Sequence, residues 1–154
     1  TFLKKLNGFF SFCIYDKEEQ TLFLARDRYG VKPLLYLFDD DKFIFASEMK
    51  SVIQYGIDKR LDYNSLYTYL QMNYIPGPHT IFASVKKLLP GHCMKVSRNN
   101  IEAYPWYQIP YSHEQVSSSH ITYDTAKQKF SALLEASVQR RLIADVPLAV
   151  PAGL

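Results

Sequence analysis

Cysteine is scarce, with two in 154 residues, Cys13 and Cys93. Neither belongs to a CxxC pair or lies at metal spacing from a histidine, which excludes a zinc module and a disulfide scaffold. Both sit in strand-like stretches, FSFCIYD and GHCMKVS, so buried free thiols in a reducing compartment are expected. No hydrophobic run approaches the ~20 residues of a membrane span. No charged segment leads into an apolar leader, and a soluble cytoplasmic protein is expected. Glycine is also sparse, six in all, and neither GxxxxGK[ST] nor GxGxxG occurs. His79, His92, His113 and His120 show no HxxxH or HxH pairing that would favour zinc. The adjacent Ser112, His113 and Glu114 cannot converge as a triad, because consecutive side chains point in different directions. Basic residues form only the doublets Lys4-Lys5, Lys86-Lys87 and Arg140-Arg141, without the continuous stripe of a nucleic-acid groove. No nucleic acid and no membrane partner is expected.

What the sequence does hold is a folded domain's composition: 47% hydrophobic, 15% aromatic and 21% charged, with a net charge of +3. That is too apolar for disorder. FFSFCIYD, residues 9–16, alternates Phe10, Phe12 and Ile14 with Ser11, Cys13 and Tyr15 at the period of a strand. The polar turn KEEQ and the run TLFLARD complete a hairpin. KPLLYLF reads as a third strand with Pro33 at its first residue, where a missing donor is tolerated. KFIFAS reads as a fourth, making four meandering strands. Asp39, Asp40 and Asp41 between them lack the alternate spacing and glycine of a cation loop and are expected at a solvated tip.

Glu48 opens a short helix stopped by Gly56 in the C′ role. Asp62 caps a second, in which Leu66, Tyr69 and Leu70 fall on one face. From Ile75 the prolines and glycines of IPGPH and LLPGH suggest a connector, with strands at 92–96 and 101–107. Residues 108–120 are the loosest stretch and the preferred boundary. Thr122 or Asp124 then caps a helix to about Leu142, with Ala126, Phe130, Leu133, Leu134 and Val138 along one stripe. It feeds into VPLAV, the pattern of a helix and strand opening a parallel α/β domain.

One segment is denser in turn chemistry. In ARDRYGVKPLLY, Arg26 and Asp27 end a strand, Gly30 permits a positive φ, and Pro33 returns the chain to the sheet. A turn locked by hydrogen bonds of Arg26 or Asp27 is the expectation there.

LNGFFSFCIYD, ARDRYGVKPLLY, FIFASEMKSVIQ with its Glu48, YLQMNYIPGPHTIFASVKKLLPGHCMKV and YPWYQIP, in that order, resemble the glutamine-hydrolysing asparagine synthetases. The resemblance implies an α+β fold: an antiparallel αββα sheet domain of the Ntn-hydrolase type, in part, then the first helix and strand of a parallel α/β nucleotide-binding domain. The implied division is 1–74 for the glutaminase part, 75–119 for a connector and 120–154 for the start of the synthetase. The implied partners are glutamine, aspartate and ATP, and the implied cofactors are ATP and Mg2+. The family's nucleophile is an amino-terminal cysteine whose α-amino group serves as base. Cys13 and Cys93 do not hold that position, so no catalytic residue is assigned, and Arg26, Asp27, Gly30, Pro33 and Glu48 are carried over as structural motif only.

ADVPLAVPAGL resembles the family's strand before its pyrophosphate loop, with Ala149 where glycine is usual and Pro151 where the pocket begins. That loop would follow Val150. The expectation is a piece cut at both edges and inactive in both half-reactions. Two alternatives stand beside it. One is a related amidoligase acting on another acceptor, such as peptides or β-lactam precursors. The other is a non-catalytic remnant that forms a homodimer or otherwise self-associates through a sheet face bearing Phe10, Phe12, Phe43 and Phe45.

Overall fold

The computed structural model describes residues 2–39, 42–98 and 100–143, apart from the side chain of Gln115. The chain forms two compact units, 1–109 and 110–154. In the first, β1 (Ser11–Asp16) and β2 (Thr21–Arg26) make the expected hairpin. Its turn is organised by Asp16, whose Oδ1 accepts from the backbone N–H of Glu18 at 2.9 Å and of Glu19 at 3.0 Å, the local bonding that makes aspartate a turn residue. A second hairpin joins β3 (Leu35–Asp39) and β4 (Lys42–Ala46). Asp40 and Asp41, expected at its tip, lie outside the described residues. Pro33 stands two positions ahead of β3 rather than at its first residue.

The expected four-strand meander does not form. The hairpins enter different sheets, one ordered β1-β2-β6-β7 and the other β4-β3-β5, with β5 at Lys86–Lys87, β6 at His92–Val96 and β7 at Ile101–Pro105. Of the stretch 75–119 read from the sequence as a connector, the part up to Ile109 belongs to the first unit and supplies strands to both of its sheets. The reason is pairing: β6 offers β2 an apolar partner strand, with Leu24 opposite Met94 and Ala25 opposite Cys93. All pairings among the described residues are antiparallel. The strand expected at 146–150, and with it any parallel sheet, lies outside them.

Alternation along the strands then sorts side chains into three layers. Leu24, Met94 and Val96 of one sheet meet Leu34 and Leu88, with Tyr36 and Phe43 of the other packed beside them. The outer face of the first sheet gathers Leu3, Ala25, Cys93 and Trp106 beneath a 3-10 turn at Phe2–Lys5. The outer face of the second gathers Leu35, Val52 and Val85 under α1 (Met49–Ile53). Both faces of β1 are therefore apolar. Cys13 faces the inter-sheet core while Phe10 and Phe12 pack on the other side.

Gly56 has the positive φ of 70° expected of a helix stop, one residue beyond the C′ position, since the C-cap is Gln54. α2 (Tyr63–Met72) is capped by Asp62, whose side chain accepts from the N–H groups of Asn64 and Ser65, and it ends at Asn73 in the left-handed conformation. Ser65 is its buried residue, whereas Tyr69 and Leu70 are exposed.

In the second unit, α3 (His113–Ser117) occupies the stretch expected to be loosest. α4 (Tyr123–Arg141) starts at Thr122, whose Oγ1 accepts from the N–H of Thr125. Its stripe is in register as expected, yet Phe130, Leu133, Leu134 and Val138 are all exposed. Among the described residues no helix is long and apolar enough to cross a membrane.

Candidate functional site

The chemistry-rich segment of the sequence, residues 25–36, forms the corner by which the chain leaves the first sheet and enters the second. Asp27 is its centre and is 1% exposed. Its Oδ1 accepts from the N–H of Tyr29 and of Val31, each at 3.1 Å, and its Oδ2 accepts from the N–H of Lys32 at 3.0 Å. Burial pushes this carboxyl up, but the N–H groups of Lys32, Val31, Tyr29 and Phe10 together outweigh it and hold the group below its ordinary value. The residue's own N–H donates to the Phe10 carbonyl, and its carbonyl accepts from Gly30 and Gly91.

Arg26 braces the other side. Nε donates to the Lys32 carbonyl at 2.8 Å, one terminal nitrogen to the Gly30 carbonyl at 2.7 Å and the other to the Leu88 carbonyl. Gly30, at φ 66°, lets the backbone pass close: a Cβ there would lie 2.8 Å from Pro90 Cγ and 3.0 Å from Arg26 Cζ. Pro33 contributes its carbonyl, which accepts from Ser11 Oγ at 3.2 Å. Arg26, Asp27, Gly30 and Pro33 are thus gathered in one corner. Glu48 forms no part of this network of bonds; it precedes α1 without capping it and pairs with Lys50 at 2.7 Å on the surface.

Sequence reasoning missed three members of this network. Trp106 Nε1 donates to the Arg26 carbonyl at 3.0 Å. The Arg28 guanidinium donates to the carbonyls of Leu6 and Lys4 and lies 5.1 Å from the Trp106 ring centre and 5.3 Å from that of Tyr107. Gly91, at φ 64°, brings its N–H onto Asp27, and a Cβ there would lie 2.7 Å from the Tyr107 carbonyl oxygen. The Pro-Gly pair at 90–91 was the one signal for it.

The Arg26 and Asp27 side chains are fully engaged by these bonds. Both thiols are unbonded to each other, and burial pushes each pKa up, so each holds its proton and is a poor nucleophile. Cys93 donates weakly to the Tyr104 carbonyl at 3.7 Å. A separate cavity of about 370 Å3 lies between the start of α2 and residues 75–79. It contains a serine, a histidine and an aspartate, but Ser65 Oγ donates to Asp62 Oδ2 at 2.9 Å rather than to His79, whose Nδ1 is 3.8 Å from the same oxygen. The base cannot activate the hydroxyl in that wiring. Among the described residues no three His, Cys, Asp or Glu side chains converge on a metal position. Residues 149–154, expected to approach the nucleotide, lie outside the described residues.

A two-sheet core whose corner is a buried, amide-saturated aspartate is a scaffold, and comparison identifies whose. Residues 1–107 match the model of the glutamine amidotransferase domain. The chain belongs to that family. It is 30% identical over 146 residues to asparagine synthetase (glutamine-hydrolyzing) 3 of Bacillus subtilis, covering 93% of this chain and 23% of that protein. It is 31% identical over 153 residues to a putative asparagine synthetase (glutamine-hydrolyzing) 2 of Methanocaldococcus jannaschii, covering 95% and 28%. It is 35% identical over 156 residues to the amidase chyE of Penicillium rubens, covering 97% and 22%. The chain spans about a quarter of the length of these curated relatives. Within the amidotransferase match lie both sheets, the Asp27 corner and Trp106, so the family's signature here is its framework.

Proposed function

We propose that this chain supplies the framework of the glutaminase part of a glutamine-hydrolysing asparagine synthetase. In that enzyme ammonia freed from glutamine amidates aspartate at the expense of ATP. The observation that carries the reading is the amidotransferase match over 1–107, joined to likeness that runs on through α4 to relatives named as asparagine synthetases. The 154 residues alone are inactive in both half-reactions; for glutamine hydrolysis the reason is that their two thiols, Cys93 buried and Cys13 partly buried, lie within strands with raised pKa values. ATP and Mg2+ act through residues other than the described ones.

A graft tests this. The chain, put in place of the matching segment of the Bacillus subtilis relative, should support asparagine formation from glutamine, ATP and aspartate, while the isolated chain releases no glutamate from glutamine. A folded graft that forms no asparagine with glutamine, or turnover by the isolated chain, counts against the reading. The likeness to amidases of Penicillium rubens and Gibberella zeae favours one second reading, a related amidoligase with a different acceptor.

A further inference from the structure

Asn7 is followed by Gly8, the one Asn-Gly step in the sequence. The pair lies between the 3-10 turn at Phe2–Lys5 and β1 and belongs to neither. Asn7 is exposed, and a Cβ built on Gly8 would meet nothing within 4 Å. Among the described residues no hydrogen bond holds the Asn7 side chain or the Gly8 N–H. The chain is nonetheless pinned on both sides of this step. The Leu6 carbonyl accepts from the Arg28 guanidinium, and the Phe10 carbonyl accepts from the Asp27 N–H at 2.8 Å.

We propose that Asn7 is a site of spontaneous modification, where the side-chain amide closes onto the Gly8 nitrogen and the chain passes through a succinimide to isoaspartate and aspartate. The inference does not depend on the enzyme assigned above. The Gly8 nitrogen bonds to Cγ of Asn7 as the bond from Cγ to Nδ2 breaks. The Gly8 amide proton passes through water to the departing nitrogen, which leaves as ammonia. One water molecule then opens the ring. Breaking the new bond at Cγ gives aspartate; breaking the bond to the Asn7 carbonyl carbon gives isoaspartate, whose main chain runs on through Cγ. Water is the sole co-reactant, and nothing is oxidised or reduced.

Ring closure needs a following nitrogen unshielded by a side chain, an N–H with no acceptor to give up, and a backbone free to turn. Glycine supplies the first and the third. The other described asparagines lack one or more of these. Asn64 precedes Ser65, whose N–H is held by Asp62 Oδ1 at 3.3 Å in the first turn of α2. Asn73 and Asn100 precede Tyr74 and Ile101, whose side chains crowd the attacking nitrogen. An Asn-Gly step is most often the tip of a tight hairpin, held by its two strands; the β1–β2 turn lies elsewhere, at residues 17–20, so no strand pair restrains this one. Isoaspartate lengthens the main chain by one carbon between the anchors at Leu6 and Phe10, which strains the bonds to Arg28 and Asp27. Either product places a carboxylate two positions from Lys5 and three from Lys4, and lowers the net charge of +3 by one.

Trypsin releases residues 6–17, a peptide in which Asn7 is the sole amide side chain, so mass spectrometry reads this site alone. The full 154-residue chain, incubated at neutral pH in heavy-oxygen water, should gain one heavy oxygen in that peptide, with isoaspartate in excess over aspartate. Conversion should run at least tenfold faster than at Asn64 in the same sample, and within tenfold of an acetylated synthetic 6–17 peptide. Gly8→Ala should slow it at least tenfold with unchanged far-UV circular dichroism, since the added methyl group has open space. A folded chain that converts more than tenfold slower than the peptide overturns the proposal, as does conversion at Asn64 as fast as at Asn7, or a Gly8→Ala chain that converts at the native rate. Should Gly8→Ala unfold, the comparison of the unaltered chain with the peptide decides the matter alone.

Discussion

Replacing Asp27 by Asn changes one oxygen into an NH2 group and almost nothing in shape, which makes it a clean test of the corner. The retained oxygen can still accept from Tyr29 and Val31, while the new NH2 is set against the N–H of Lys32, donor against donor. A hydrogen bond to a charged acceptor is worth ~1.5–3 kcal/mol, and a buried donor left unpaired costs ~1–3 kcal/mol. These overlap rather than add, so a loss of ~3 kcal/mol is expected, or roughly 6–12 °C in melting temperature for a chain of this length. The sign of the pH dependence follows from the carboxyl being held below its ordinary 3.8 in the folded chain. A depressed folded value gives stability that is complete above the unfolded value and is lost as pH falls through the folded one. The gap between the native chain and Asp27→Asn should therefore be constant from neutrality to about pH 5 and narrow toward about pH 3. Urea titrations at several pH values measure it. Equal stability at neutral pH, or a gap that fails to narrow in acid, would refute the account of Asp27 as an amide-saturated anion.

Three glycines rank by what a methyl group would meet. Gly91→Ala should be the most damaging, with a backbone oxygen at 2.7 Å, and Gly30→Ala next, with Pro90 Cγ at 2.8 Å. Gly56→Ala has the same sign of φ but no atom within 4 Å, and should lose only the ~1 kcal/mol of left-handed strain; urea midpoints in any other order would contradict the packing described. The thiols provide a separate check. Because burial raises the pKa of Cys13 and Cys93, both should label slowly with a thiol reagent at neutral pH and rapidly in denaturant, Cys93 the slower. Fast labelling of the native chain would place a thiolate where none is expected.

Local elements were legible in the sequence because their determinants are local. The period of two in FFSFCIYD, the Asp62 and Thr122 caps and the positive φ of Gly30 each rest on residues within one turn of one another. Sheet membership was not legible. That Leu24 faces Met94 rather than a residue of the next hairpin depends on a pairing across some seventy positions, and no periodicity encodes it. The corner shows the same division. Asp27 bonding to the amides of 29, 31 and 32 is a short-range event, whereas Trp106 reaching the Arg26 carbonyl spans 80 residues and has no local signature. Amphipathic spacing failed in a third way: α2 and α4 have the stripes their sequences show, but spacing fixes which residues share a face and says nothing of whether anything lies against it.

The corner also explains why the most recognisable motif in the chain is not a reaction centre. A group that takes part in chemistry must exchange partners, giving up a bond to solvent or substrate and forming another. The three donor nitrogens of Arg26 are each committed to a carbonyl, at Lys32, Gly30 and Leu88, and the two oxygens of Asp27 are committed to three amides. Those bonds join the end of β2 to the approach to β3 and, through Leu88 and Gly91, to the segment between β5 and β6. A lysine at 26 would carry the same charge but could not place three donors in one plane, so it could hold one of these carbonyls firmly and not all three. Saturation of this kind ties the end of the first sheet to the entry of the second through bonds that leave no nitrogen of the one side chain and no oxygen of the other without a partner.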